Sequence, residues 1–196
     1  VLRPTRLELN LLNQAACSAY LHESKPNVVI HCAVTVSSVE ETLQSYFNII
    51  RCSDTFEKLI YFGSGAEYNP SNYKPLMEEE YAEGSFPSGG YALSKWIIGK
   101  EIVSSNLEKV LNLRLFAVYG PYENFNRRFI SNNICKVLAG ANISMNQDVK
   151  FDYIYIDDLC NYIWKILQTS STSFRTYNIC SGEPVKLSYL ASAIRE

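Results

Sequence analysis

The sequence predicts an α/β fold built on a doubly wound parallel sheet. Three observations point to it: short continuous apolar runs that suit strands buried on both faces, segments of helical length between them, and distinctive loops directly after each run. The chain has 196 residues, 47% of them hydrophobic and 19% charged, so it has enough apolar surface to offset the entropy of ordering. That composition excludes a disordered or fibrous protein.

Taken in order, NQAACSAYLHES reads as a helix with Ala15, Ala16, Ala19 and Tyr20 on one side, and KPNVVIHCAV as a first buried strand. ETLQSYFNIIRCSD is a second helix and KLIYFGSG a second buried strand that ends in glycines. Residues 69–90, rich in Pro, Asn and Tyr, read as a loop. YALSKWIIGKEIVSSN then gives a long helix and VLNLRLFAVYG a third strand. This alternation makes βαβ units, whose ligands gather at the C-terminal ends of the strands. Those ends here are HCAVT, GSGAEY and FAVYGPYEN. The texture changes near residue 121, so residues 1–120 are expected to hold the sheet. Residues 121–196 are expected to form a smaller, mostly helical lobe, with some segments returning to the main sheet.

A formal charge of −2 offers no basic field for nucleic acid or an anionic membrane. No apolar run reaches the roughly 20 residues of a membrane span, and the start does not resemble a signal peptide, so the expected location is the cytoplasm. Six scattered cysteines, Cys17, Cys32, Cys52, Cys135, Cys160 and Cys180, are expected to be buried thiols outside any disulfide. Without a Cys-x-x-Cys or a histidine cluster, no metal site is expected. Asp157 and Asp158 read as partners of a helix start, His22 as a surface residue and His31 as structural.

Tyr91 and Lys95 in SGGYALSKW are spaced i and i+4, which puts them on one helix face with the ammonium near the phenol oxygen. A cation there stabilises the phenolate, and a tyrosine tuned this way can exchange a proton with a hydroxyl or carbonyl. Tyr-x-x-x-Lys also recurs by chance in helices, so the pair needs company. Ser64 supplies it, just past a buried strand, flanked by Gly63 and Gly65 that permit close backbone approach.

The segments KPNVVIHCA, LIYFGSGAEY, PSGGYALSK, NLRLFAVYGP, FDYIYIDDL and YNICSGEPVKLSYLA, in that order and over nearly the whole chain, resemble the extended short-chain dehydrogenase/reductase superfamily. Within it they resemble the NAD-dependent epimerase/dehydratase family that acts on nucleotide sugars. The resemblance implies a Rossmann-like dinucleotide-binding domain over 1–120, a substrate-binding lobe over 121–196, and NAD or NADP as cofactor. It also implies a transient oxidation or a reduction at a sugar carbon, usually C4. In that scheme Ser64, Tyr91 and Lys95 are catalytic: Tyr91 the acid/base, Lys95 its tuner and the holder of the nicotinamide ribose, Ser64 the ligand of the sugar oxygen. Cofactor contacts fall on Asn10, Cys32, Ala33, Phe62, Phe116 and Val118, with Tyr91 and Lys95. Substrate contacts fall on Ser64, Gly65, Ala66 and Ala117. Arg127 and Arg128, or Lys150, would hold the diphosphate, unless they are solvated charges. The family also implies a homodimer formed through two helices per subunit, one of them carrying Tyr91 and Lys95.

Departures from the family narrow the chemistry. Its glycine-rich phosphate turn is not in this sequence, which begins at VLRPTRLELNLL like the stretch after the family's second strand, so the preceding βαβ portion and the residue that reads the ribose 2′ position are expected to lie outside it. The family's C-terminal end is likewise expected to run past SAIRE, and the passage from His31 to Asn48 is shorter than usual. Asn10 replaces the usual adenine-contacting Asp, Ala117 a frequent Asn, and Phe151 a frequent Arg. Gly65 and Ala66 follow Ser64 where 4,6-dehydratases carry acidic residues and where GDP-fucose-synthase-type 3,5-epimerisation uses a cysteine at the position of Ala66. A C4 epimerase or a 4-keto reductase is the expected enzyme. The alternatives are a non-catalytic nucleotide-binding relative and a dehydratase.

Overall fold

The computed structural model describes residues 1–84, 86–169 and 172–195. Its elements run α1 (Gln14–Ser24), β1 (Val28–His31), α2 (Val39–Ile50), β2 (Lys58–Ser64), α3 (Gly90–Ser104), β3 (Val110–Leu115), β4 (Ala117–Tyr119), α4 (Phe129–Leu138), β5 (Lys150–Phe151), β6 (Tyr153–Tyr155), α5 (Ile156–Gln168), β7 (Thr176–Ile179), β8 (Val185–Lys186) and α6 (Leu187–Arg195). They fall into two compact units, Val1–Arg114 with Ser173–Asn178, and Leu115–Thr172 with Ile179–Glu196.

The first unit is organised by a four-stranded sheet of order β1-β2-β3-β7. β1 and β2 pair in parallel with His31 opposite Tyr61, which brings the ends of both strands to one edge. Helix boundaries follow local chemistry. Asn13 caps α1 by accepting from the Ala16 N–H, and Lys25 closes it in a left-handed conformation. Ser38 caps α2 through the Glu41 N–H, with Glu40 and Glu41 facing the positive end of the helix dipole. α3 begins after Gly89, whose φ of +93° few other residues adopt readily. Leu21, Tyr46, Ile49, Phe56, Leu59, Tyr61, Ile98, Ile102 and Val110 form the core between the helices and the sheet. Each such side chain contributes about 1.5–3 kcal/mol by leaving water.

The second unit holds the parallel pair β4-β6 and the antiparallel pair β5-β8. Its helices are tied to loops by side chains. Asp152 accepts from the Ser181 and Gly182 N–H groups, Asp148 from the N–H and hydroxyl of Ser188 at the start of α6, and Asn133 of α4 exchanges hydrogen bonds with Ser144. Asp157 and Asp158 occupy the first turn of α5. Among the described residues, no helix is long and apolar enough to cross a membrane.

Four local expectations are corrected. VVIH is not buried on both faces: β1 is an edge strand of this sheet and Ile30 is 42% exposed. VLNLRLFAVYG is two strands, broken at Phe116, because β3 pairs within the first unit while β4 pairs with β6. Residues 69–90 include two short 3-10 turns, Pro70–Asn72 and Glu79–Glu83. Of the six thiols, which form no disulfide among the described residues, Cys17 and Cys52 are buried and Cys180 half-buried, whereas Cys32, Cys135 and Cys160 are exposed. Cys32 follows the edge strand, and Cys135 and Cys160 lie on solvent-facing sides of α4 and α5.

Candidate active site

Ser64 is the last residue of β2 and the N-cap of a 3-10 turn, Gly65–Glu67. Its hydroxyl oxygen accepts from the Ala66 N–H at 3.1 Å, and its own N–H donates to Glu67 Oε1 at 3.0 Å, a reciprocal capping box. A hydroxyl has one O–H donor and two lone pairs, so Ser64 keeps its proton available for a second partner.

Tyr91 and Lys95 lie one turn apart near the start of α3, which packs against β2 and the turn after it. Tyr91 is half-buried, while Lys95 is only 4% exposed. The ammonium donates to the Phe62 carbonyl at 2.5 Å, lies over the Tyr61 ring at 4.5 Å and stands 5.9 Å from the Tyr91 ring centre. Burial pushes its pKa down to about 8, against the attraction of Glu67 and Cys32. Cys32 and Ala33, directly after β1, are exposed, and burial pushes the Cys32 thiol up while Lys95 pulls it back. Asn10 is exposed, its side chain accepting from the Leu12 N–H.

His31 is 3% exposed, stacked on Tyr46 and edge-on to Tyr61. Among the described residues, neither ring nitrogen has a hydrogen-bond partner, nor has the Tyr61 hydroxyl. Burial, helped by the Lys95 charge, pushes the His31 pKa down to about 3, so the imidazole is neutral at ordinary pH.

Sequence reasoning missed a buried charged cluster behind Ser64. Glu67 is 0% exposed and receives Arg114 Nε at 2.6 Å and Asn112 Nδ2 at 3.3 and 3.1 Å on its two oxygens. Arg114 also donates to the Tyr68 hydroxyl and the Glu79 carbonyl. Burial pushes the Glu67 carboxyl up from the ordinary range, while the Arg114 guanidinium, the Ser64 N–H and the Asn112 amide pull it down. Every one of these neighbours is a donor, so the cage suits the carboxylate. The chain offers one hint, that NLRL puts Asn112 and Arg114 into a strand otherwise apolar, and a buried arginine requires a counter-charge; the partner that supplies it is not legible there.

The second unit carries Phe116, Ala117 and Val118, all half-buried, in and just before β4. Beyond β4 an open cleft runs along Gly120 to Asn124, with Arg128 and Ile156. Gly120 is required there, since its φ is +143° and a Cβ would lie 2.6 Å from Ile156 Cγ2. Arg127 and Arg128 are exposed at the start of α4, and only Arg128 lines the cleft; Lys150 is exposed on β5.

With Ser64 at the end of a strand of the central sheet and Tyr91 and Lys95 on the helix α3 packed against that strand, the chain has a Rossmann-like α/β fold, as have the solved structures it resembles. The chain belongs to the NAD dependent epimerase/dehydratase family, which it matches over residues 2–180. It is 22% identical over 209 residues to the GDP-L-colitose synthase of Yersinia pseudotuberculosis, covering 92% of this chain and 68% of that protein. It is 29% identical over 153 residues to the methionine adenosyltransferase 2 subunit beta of Xenopus laevis, covering 74% of this chain and 45% of the relative. In structure it is similar to a GDP-mannoheptose C4 reductase from Campylobacter jejuni solved with NADP bound, with a TM-score of 0.81, 23% identity, and 98% and 75% of the two chains covered.

Proposed function

We propose that the protein is an NAD(P)-dependent nucleotide-sugar enzyme that moves hydride at a sugar carbon, C4 by preference, as a 4-keto reductase or a C4 epimerase. The observation that carries this reading is the buried Lys95 ammonium, fixed between the Phe62 carbonyl and the Tyr61 ring, one helical turn from the Tyr91 phenol. The residues fit a dinucleotide. An ammonium has three N–H donors and the Phe62 carbonyl takes one, so Lys95 keeps donors for ribose hydroxyls, while Cys32 and Ala33 stand exposed at the same strand edge. Phe62, Asn10, Phe116 and Val118 complete the proposed cofactor contacts.

A bound nicotinamide supplies or accepts the hydride. In the reducing direction Tyr91 gives its phenolic proton to the sugar oxygen as the carbonyl carbon receives hydride, and in the oxidising direction it takes that proton back. Lys95 holds positive charge beside the phenolate that forms. Ser64 donates a hydrogen bond to the same oxygen, with Gly65, Ala66 and Ala117 along the sugar and Arg127 or Arg128 at the diphosphate. Without a carboxylate at Gly65 or Ala66, the acid/base pair for eliminating water is missing, which favours reduction or epimerisation over dehydration. We further propose that the working form is a homodimer.

The test is turnover of a GDP-4-keto sugar with NADPH by the full-length protein against Tyr91→Phe. A fall of about 10²- to 10⁴-fold is expected for loss of a general acid, and equal rates would overturn the reading. Stoichiometric loss of NAD(P)H marks a reductase, and retention of bound cofactor an epimerase. A second reading is a nucleotide-binding relative without turnover, and the similarity to a protein named as a subunit of an enzyme keeps it in view. Tight dinucleotide binding with no conversion of any nucleotide sugar would favour it.

A further inference from the structure

The geometry points to Glu67 as a positioning residue that acts through Ser64, setting the strand end so that the serine hydroxyl is presented as a hydrogen-bond donor to the substrate oxygen. This rests on the reading of Ser64 given above.

Glu67 is wholly buried and neutralises the buried Arg114, a role that by itself requires no contact with Ser64. Buried ion pairs as such are often matched or surpassed in stability by apolar side chains of similar volume. The carboxylate does what an apolar side chain cannot. Oε1 accepts the Ser64 N–H at 3.0 Å, which fixes the backbone at the residue where β2 ends. The turn so closed brings the Ala66 N–H onto the Ser64 oxygen at 3.1 Å. With one lone pair engaged by that N–H, the hydroxyl oxygen is held in place and its proton is left to donate, as a bond to a ketone or a developing alkoxide requires.

The rest of the cage immobilises the carboxylate. Arg114 Nε holds Oε2 at 2.6 Å, and Arg114 is itself tied to the Tyr68 hydroxyl at 3.2 Å and the Glu79 carbonyl at 2.7 Å. Asn112 bridges both oxygens. Two glycines make the space: a Cβ on Gly63 would overlap Asn112 Oδ1 and Glu67 Oε1, and one on Gly99 would lie 2.6 Å from Glu67 Oε2. Strand β2, helix α3 and strand β3 are thus all shaped around one carboxylate whose outward contact is the Ser64 backbone.

The test is a double-mutant cycle in the full-length protein with Ser64→Ala, Glu67→Gln and both changes together, reading kcat and KM for a GDP-4-keto sugar with NADPH and the dissociation constant of NADPH. Glu67→Gln is expected to lower kcat about 10-fold, the scale of one hydrogen bond to a charged group. KM and NADPH affinity should change by less than about 2-fold, and so should kcat when Glu67→Gln is added to Ser64→Ala. Equal effects of Glu67→Gln with and without Ser64, or no effect on kcat, would overturn the proposal while leaving the proposed function standing. A Ser64→Ala protein as active as wild type would remove Ser64 from the substrate oxygen and the proposal with it. If Glu67→Gln does not fold, Glu67→Gln with Arg114→Gln replaces it in the same cycle, since the pair leaves no lone buried charge. Independently of turnover, the Ser64 amide proton should be protected from exchange in wild type and lose that protection in the variant, and an unprotected wild-type amide would contradict the geometry.

Discussion

Lys95 is the residue on which charge and position meet. Its pKa of about 8 lies below the ordinary lysine value of 10.5, so between these limits the unfolded chain carries a proton that the folded protein has released. The sign follows: burial of the ammonium weakens the fold below about pH 8, and this penalty is relieved as pH rises toward the unfolded value. Urea midpoints of wild type relative to Lys95→Met should therefore climb between about pH 8 and 10, and parallel curves would refute a buried ammonium. If its charge supports Tyr91, turnover should decline above about pH 8 and fall at least about 10²-fold in Lys95→Met at neutral pH. Ser64, Tyr91 and Lys95 could be singled out as candidates in the sequence because they follow successive apolar runs at loop and helix starts and together match one family's pattern. Glu67, Asn112 and Arg114 could not, because their meaning depends on a contact between a turn and a strand more than 40 residues apart.

At the level of elements, Gly63, the residue before the end of β2, reads in the sequence as a device for close backbone approach, whereas the structure gives it a packing role. A methyl group on Gly63 meets the ends of two side chains that the cage prevents from yielding. Gly63→Ala should cost about 1–3 kcal/mol or more, as overpacked sites do, measured by denaturant unfolding. Gly84→Ala is the control, since its Cβ would meet only Tyr81 O at 3.6 Å, and it should be nearly neutral. Ser38→Ala removes the cap of α2 and should cost about 1 kcal/mol. Helices α1, α2 and α3 were legible from apolar spacing. The break of VLNLRLFAVYG at Phe116 was not, because one apolar run serves two different sheets and local periodicity does not say which partner each half takes.

Over the whole molecule, the α/β class follows from alternation of apolar runs with helical segments, a pattern set by sequence order alone. Acid sensitivity follows from something the order does not display: His31 sits against Tyr46 and Tyr61 within reach of the Lys95 charge. Its pKa of about 3 lies below the ordinary histidine value of 6.5, so as pH falls below 6.5 the unfolded chain gains a proton that the folded protein refuses. Stability should drop by about 1.4 kcal/mol per pH unit from this group in that window. Thermal midpoints of wild type should fall more steeply than those of His31→Gln between about pH 6.5 and 4, and identical slopes would show that His31 is not a buried neutral imidazole.

The central claim is that Ser64, Tyr91 and Lys95 together manage the oxygen of a sugar carbon to which hydride moves. The most direct measurement follows deuterium from deuterated NADPH into a GDP-4-keto sugar by NMR, in wild type and in Tyr91→Phe. Label on sugar C4 with wild type, and at least about 10²-fold less of it with the variant, is the predicted result. Absence of label from every sugar carbon, or equal labelling by the two proteins, would contradict it.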